Sequence, residues 1–308
     1  MTARVVVVGS INVDHTIALE RFPRPGETLL ASSLSHSVGG KGANQAVAAA
    51  KSGATVAMVG VLGDDPEGDT ALHALQQAGV DGRSVRRASG VPTGSAWISV
   101  ASGDNTILVV SGANHQWTGI EPSLQQDDIV LAQLEIPLPV VEAVAAAAGM
   151  FVLNAAPSQH LSDELLGHCD VLIVNEHELA EVSGLGASDT ADPAAVVAAS
   201  HALVKRGVTA VATTLGEQGA ILCTADETFQ VRAPVVEVVD STGAGDAFCG
   251  VFAAQLAAGA SISEALRFAV TAGSVSVQSA TAQGSYADLA MLPSLVHRTP
   301  QVSTLFEQ

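Results

Sequence analysis

Val5-Val6-Val7-Val8-Gly9-Ser10-Ile11-Asn12-Val13-Asp14 is the stretch from which the fold can be read. Four β-branched residues in a row have no polar face, so they predict a strand covered on both sides. The run is too short for the apolar region of a secretory signal. Equally apolar runs recur at Val56–Val61, Ile129–Gln133, Phe151–Asn154, Val171–Val174 and Ala210–Thr214. Helical patterning fills the intervals, at Asn44–Ser52, Pro66–Ala78, Pro137–Ala148, Ser162–Leu166, Glu176–Ser183 and Pro193–Arg206. Strand–helix alternation on this scale predicts an α/β core with a mainly parallel sheet. Two regions break the rhythm. Thr16–Val38 reads as two extended segments around a turn, and Gly94–Gly112 as a hairpin about Ser102-Gly103-Asp104-Asn105. They predict a small sheet standing off the core as a lid, within about 16–38 and 94–112 of a single domain spanning 1–308. Further on, helices are expected from Gly245 to about Gly259 and from about Ser263 to Val277, the second capped by Ser261 or Ser263.

Composition narrows the function. With 48% apolar and only 14% charged residues, and a mean hydropathy of +0.36, the 308-residue chain can bury a large core. A formal charge of −18 makes nucleic acid and anionic membranes poor partners. Positive potential for a phosphorylated ligand must therefore be local: a lysine, backbone N–H groups, a metal. Cys169, Cys223 and Cys249 are far apart and form no Cys-x-x-Cys pair, which fits a reducing compartment. The Ala-rich stretch Val140–Leu153 is too short to span a bilayer, so a cytoplasmic protein is expected. Nine histidines form no His-x-x-x-His pair, and a transition-metal site is not expected.

Three segments can carry chemistry. In Asp240-Ser241-Thr242-Gly243-Ala244-Gly245-Asp246, two glycines open a helix, where unpaired N–H groups favour an anion. An aspartate in a first helical turn is also ordinary, because it opposes the helix dipole. The segment lacks the third glycine of a dinucleotide fingerprint, and Gly40-Lys41 fails as a Walker A loop because Ser35 and Gly42 stand at its defining positions. Gly39-Gly40-Lys41-Gly42-Ala43-Asn44 places a lysine in a tight turn, facing either a polar ligand or solvent. After the first strand, Asn12 and Asp14 lie two residues apart and so point the same way. Beyond the carboxyl end of a sheet strand they can clamp vicinal hydroxyls, or simply form a turn. Trp97 and Trp117 are expected to pack in the lid, and Cys249 to be a small core residue.

In sequence order, Asn12-x-Asp14, Gly39–Asn44, Gln133-Leu134-Glu135, Asn175-Glu176-His177-Glu178, Thr214–Gly219 and Asp240–Asp246 resemble the motifs of the ribokinase-like (PfkB) carbohydrate kinases, from about Val5 to Leu295. The resemblance implies a three-layer α/β/α core with a small β-sheet lid. It implies ATP-dependent phosphorylation of a primary sugar hydroxyl, D-ribose to D-ribose 5-phosphate. Asp246 then matches the general base, and Gly243, Ala244, Gly245 and Asp246 the anion hole for the transferred phosphoryl. Substrate contacts would be Asn12, Asp14, Gly40, Lys41, Asn44, Glu135 and Asp246. ATP contacts would be Asn175, Thr214, Gly216, Gly219 and Gly245, with Asn175 and Glu178 near Mg²⁺ largely through water. A K⁺ activator would lie among Asp240, Thr242, Ser276, Ser279, Thr281 and Ser285. A homodimer through the lid sheets is implied as well, since their edges are otherwise exposed.

Two departures stand out. Val270 occupies a position near the adenine where the family often has His or Asn, so no polar adenine contact is expected there. Ala280–Ser285 differs from the family's usual cation loop. Another pentose such as deoxyribose, or a nucleoside such as adenosine, is an alternative substrate. A sugar-binding regulator without catalysis would tolerate loss of Asp246 or its glycines, and both are intact.

Overall fold

The computed structural model describes residues 3–102, 104–117, 124–185, 192–279 and 281–307. In chain order its strands and main helices are β1 (Val5–Val8), β2 (Asn12–Ala18), β3 (Ser33–Gly39), α1 (Lys41–Lys51), β4 (Val56–Gly63), α2 (Pro66–Gln77), β5 (Val80–Ala88), β6 (Gly94–Ala101), β7 (Asp104–Val110), β8 (Ile129–Gln133) and α3 (Leu138–Ala147). There follow β9 (Met150–Asn154), α4 (Asp163–Gly167), β10 (Val171–Asn175), α5 (Glu176–Ser183), α6 (Pro193–Lys205), β11 (Ala210–Thr214), β12 (Ala220–Cys223), β13 (Glu227–Val231), α7 (Ala244–Ala257), α8 (Ile262–Ser276) and β14 (Ser303–Glu307).

The large sheet runs β14-β13-β12-β11-β10-β9-β8-β1-β4-β5. It is parallel from β11 to β5 and antiparallel from β11 outward to β14. Its two faces explain the apolar runs. Val5 and Val7 enter one buried cluster, shared with α1, α7 and α8, while Val6 and Val8 enter another, shared with α3, α4, α5 and α6. Three layers result. The small sheet is mixed, in the order β3-β2-β6-β7: β2 pairs antiparallel with β3 but parallel with β6. Its first strand starts at Asn12, four residues before the expected Thr16. Gly103, in the expected hairpin turn, and Ala280, at the head of the expected cation loop, lie outside the described residues.

Several boundaries differ from the sequence reading. Helix α1 begins at Lys41 rather than Asn44, because its first N–H groups are capped by distant residues. Helix α8 begins at Ile262, and its N-cap is Ser261, one of the two caps expected, which forms a capping box with Glu264. Trp97 does pack in the small sheet, stacked on His15 with ring centroids 4.3 Å apart. Trp117 does not: its Nε1–H donates to the Asn114 carbonyl, and its ring lies against the core under α3. Cys249 is buried, as expected.

Candidate active site

The chain leaves β1 toward β4 on one side of the sheet and continues from β8 on the other, so β1 and β8 flank the topological switch point. Open α/β sheets bind ligands outside the carboxyl ends of such strands. Here Asn12 and Asp14 follow β1, and Glu135 follows β8. Two glycines bring helices to the same place. A Cβ at Gly42 would sit 2.7 Å from the Ser10 nitrogen, so only glycine lets α1 start against the turn after β1. A Cβ at Gly250 would sit 2.8 Å from Ala48 Cβ and 2.9 Å from the Ala49 nitrogen, so the missing side chain lets α7 lie on α1. Asp246 is one turn before Gly250 and is thereby carried to Asn44 and Gln45.

The carboxylate of Asp246 is 9% exposed and held from both sides. Asn44 Nδ2 donates to Oδ2 at 3.0 Å and Gln45 Nε2 to Oδ1 at 2.9 Å. Burial raises its pKa above the ordinary aspartate value; Lys41, Gln45 and Asn44 pull it back, and Glu135 pushes it further up. Lys41 is shielded from solvent, which alone would lower its pKa, but Asp246, Glu135 and Glu178 outweigh that and raise it. Its ammonium is therefore charged at neutral pH. Asp14 lies beside Gly39, and among the described residues no hydrogen bond reaches its carboxylate. Burial first, then the charges of Glu135 and Asp246, lift its pKa to about 6.

At the N-terminus of α7, where the glycines led to the expectation of an anion site, the helix has no side-chain cap. Its N-cap, Gly243, lies in the left-handed region at φ 78°, and the first-turn N–H groups have no side-chain acceptor. The Ala244 N–H, however, donates to the Ser241 carbonyl at 3.2 Å, which leaves Gly245 and Asp246 as the N–H groups open to an anion. Two substrate residues are also more engaged than expected. Glu135 Oε2 accepts from the Lys41 N–H at 2.9 Å and from the Ser10 hydroxyl, capping α1 from 94 residues away. Asn44 spends its amide on Asp246 and on Gln283, whose Nε2–H donates to Asn44 Oδ1 at 3.0 Å. Gly40, at φ 86°, fits the turn between β3 and α1 because a Cβ would lie 2.9 Å from the Asn12 nitrogen.

Next to this pocket is a cleft of about 160 Å³ whose lining includes Lys41, Asn175, Glu178, Thr214, Gly245 and Asp246. Asn175 and Glu178 form a reciprocal capping box at the start of α5. One oxygen of each is therefore committed to a backbone N–H, at 2.9 and 2.8 Å. Burial raises the Glu178 pKa, against its bond from Asn175 and the charge of Lys41. What remains for a hard cation is the second Glu178 oxygen, which fits a Mg²⁺ carried by a nucleotide's phosphates and reached through water, rather than a protein cage. Among the described residues no three His, Cys, Asp or Glu side chains cluster to hold a metal. Gly216 (φ 54°) and Gly219 (φ 92°) turn the loop after Thr214 tightly, and of these three expected nucleotide residues Thr214 lines the cleft. Val270 is buried in the core.

Of the expected K⁺ residues, Asp240, Thr242 and Thr281 meet directly: Asp240 accepts from the N–H groups of Thr242 and Thr281 at 2.9 and 3.0 Å. Despite partial burial, these bonds lower its pKa. Ser276 and Ser285 are buried, but their hydroxyls donate to Gly273 and Ala282 carbonyls, and Ser279 sits beyond the end of α8. Oxygen lone pairs of the two serines stay available, so the donor set suits a hard monovalent cation.

Sequence reasoning missed Asn114 and the function of Gln45. Asn114 is 2% exposed; its Oδ1 accepts from the Ile11 N–H at 2.9 Å, and its Nδ2 donates to Asn12 Oδ1 at 2.7 Å. It thereby fixes which way the Asn12 amide faces.

The chain is similar to ribokinases and a deoxyribokinase. A ribokinase of Haemophilus influenzae is 39% identical over 92% of this chain and 95% of its own length. A deoxyribokinase of Salmonella typhi is 34% identical, with 92% and 95% covered. The structure of Arabidopsis thaliana ribokinase complexed with ribose and ATP superposes with a TM-score of 0.89 at 35% identity, covering 96% of this chain and 99% of that one. The pfkB family carbohydrate kinase model matches residues 2–288. With a buried aspartate at an uncapped helix N-terminus beside a carboxylate-lined pocket, and with relatives matched almost end to end, the chain belongs to the pfkB family of carbohydrate kinases.

Proposed function

We propose that this protein is a ribokinase, transferring the γ-phosphoryl of ATP to the 5-hydroxyl of D-ribose. The observation that carries this reading is Asp246, a buried carboxylate held by Asn44 and Gln45 that lines the cleft shared with Lys41, Asn175, Glu178 and Thr214. The sugar lies on the side of Asn12, Asp14, Gly40 and Lys41, the nucleotide along Asn175, Thr214, Gly216 and Gly219. The substrate hydroxyl gives its proton to Asp246 as its oxygen bonds to the γ-phosphorus, and ADP leaves with the electrons of the broken P–O bond. The raised pKa of Asp246 suits it to take that proton. Lys41 and the N–H groups of Gly245 and Asp246 face the charge that gathers on the transferred group. Mg²⁺ bound to ATP neutralises its phosphates, with Asn175 and Glu178 reaching it through water. Asp240, Thr242, Ser276, Ser279, Thr281 and Ser285 would hold a K⁺, which would add positive charge behind the loop at Gly243. The chain acts as one domain over 1–308, its small sheet the lid.

Two further features belong to this reading. Leu34, Ile107, Leu108, Val109 and Val110 of the small sheet are all at least half exposed, an apolar surface suited to a second copy of the lid in a homodimer. Reduced, unpaired cysteines and a need for ATP fit the cytoplasm.

The test is ADP release with ATP and Mg²⁺ across D-ribose, 2-deoxyribose and adenosine. Ribose should give the highest kcat/KM. A preference for 2-deoxyribose would move the assignment to the second relative's activity, and no turnover with any of the three would overturn it.

A further inference from the structure

From Asp246 into the core, a run of buried amides, whose Asn154 reaches the lining of the cleft, has a definite direction. Gln45 and Gln133 are fully buried and Asn154 is 8% exposed. The Gln45 Nε2 donates twice, to Asp246 Oδ1 at 2.9 Å and to Asn154 Oδ1 at 3.0 Å. Its Oε1 accepts from Gln133 Nε2 at 2.6 Å. Asn154 passes its own Nδ2–H to the Ile173 carbonyl at 3.2 Å. Every atom of the Gln45 amide is thus used, and its flip is dictated. Turning it over would aim a carbonyl at a carboxylate and an N–H at an N–H.

The direction has a cost that locates its purpose. Because Gln133 must turn its Nε2 toward Gln45, its own carbonyl Oε1 is left against Gly9 with no hydrogen-bond donor, a buried orphan acceptor. Buried polar groups are seldom left so, and each such exception calls for a reason. Flipping Gln133 alone would set two carbonyls against each other, and flipping both would take the donor away from Asp246. The orphan is the end of a chain whose other end must be a donor aimed at the base.

We propose that Gln45, oriented by Gln133, is a positioning residue that holds the Asp246 carboxylate ionised and turned toward the substrate hydroxyl. Asn44 cannot substitute, since it binds the other carboxylate oxygen and is itself shared with Gln283. The inference rests on the proposed role of Asp246. The other ionisable groups that act on Asp246 are Lys41 on α1, Glu135 after β8, Asp14 on β2, Glu178 on α5, Cys249 on α7 and Tyr286. Gln45→Met leaves all of them in place.

The test compares wild type with Gln45→Met, Gln45→Glu and Gln133→Met. In the pH profile of kcat/KM with ATP and ribose, the acid limb should move up by about one pH unit in Gln45→Met, the size expected for a lost hydrogen bond to a carboxylate. Gln133→Met should shift it less in the same direction, and Gln45→Glu more, by adding a like charge. kcat should fall on the acid side and recover toward alkaline pH, with the KM for ATP unchanged. A role confined to packing would lower stability or kcat at every pH without moving the limb, and four coincident limbs would overturn the proposal. Carboxyl ¹³C NMR of the ligand-free enzyme, with the Asp246 signal assigned by Asp246→Asn, reads the same order of titration without turnover. It therefore separates failure of this inference from failure of the kinase assignment. If Gln45→Met does not fold, Gln133→Met and Gln45→Glu decide the question.

Discussion

Asp14→Asn should make the protein more stable at pH 8 while weakening its grip on sugar. Burial and the charges of Glu135 and Asp246 raise the Asp14 pKa from 3.8 to about 6. The unfolded chain has no such environment and ionises near the ordinary value. A raised folded-state pKa contributes stability that is present below the unfolded value and lost as pH rises through the folded one. Above about pH 6 the native state therefore holds an ionised carboxylate at a cost of about 3 kcal/mol, from about 1.4 kcal/mol per pH unit. Asparagine removes the charge but keeps a polar amide in the same place, which leaves a net gain of about 1–2 kcal/mol. For a chain of 308 residues that is about 2–3 °C in Tm.

The assay is thermal unfolding of both proteins, free of ligand, at pH 8, 6 and 4. The advantage of Asp14→Asn should be full at pH 8, partial at pH 6 and gone at pH 4, where wild type is protonated too. The KM for ribose should rise at pH 8 by about tenfold or more, because a hydrogen bond to a charged acceptor is lost. An advantage equal at pH 4 and pH 8, or a wild type more stable than the variant at pH 8, would refute the reasoning.

Asp246→Asn should lower kcat by about 10²–10⁴-fold with ribose and ATP binding near normal; retention of most turnover would reduce Asp246 to a helix-end residue. Asn114→Leu strands the buried Ile11 N–H and frees the Asn12 amide, so it should cost about 1–3 kcal/mol in urea unfolding and raise the KM for ribose, while the KM for ATP stays put. K⁺ should raise kcat/KM several-fold over tetramethylammonium, with Na⁺ doing less; equal rates in all three salts would show that the loop around Thr281 no longer holds a cation. Light scattering at micromolar concentration should give the mass of a dimer, and a monomer would remove the proposed lid contact.

What the sequence made legible follows from where each signal resides. Val5–Val8 could be read because a strand buried on both faces needs no polar residue, and that shows in four letters. Strand β5 could not, because it lies at the sheet edge and its residues include the exposed Arg83 and Arg86 and the partly buried Arg87. Strands β12 and β13 form a short antiparallel hairpin off the parallel core and escaped the strand–helix rhythm altogether. The start of α1 was misread for a different reason. Lys41 and Gly42 look like a turn until Ser10 and Glu135 arrive from other elements to cap them. Gln45 did leave a trace: with Asn44 it forms a pair of amides amid Gly42, Ala43, Ala46, Val47, Ala48 and Ala49, all buried on α1. A polar side chain embedded in such a run must find a buried partner, but which one is decided by α7 and cannot be seen locally. Asn114 left none, since its neighbours in sequence are not its partners.

The N-terminus of α7 ties these observations together. An anion site needs helix N–H groups left open, and open N–H groups destabilise the end of a helix unless other contacts hold it. Here the support comes from outside the helix. The Tyr286 hydroxyl donates to the Gly243 carbonyl at 2.8 Å, and Asp240 is tied to Thr281 across from it. A Cβ at Gly243 would lie 2.6 Å from that hydroxyl, so the contact requires glycine twice, for the space and for φ 78°. The segment from Thr281 to Tyr286 thus does for α7 what a capping side chain does for α5 and α8, without occupying the N–H groups of Gly245 and Asp246. The tie depends on a backbone N–H at Thr281 and a phenol at Tyr286, and the same segment reaches Asn44 through the Gln283 side chain.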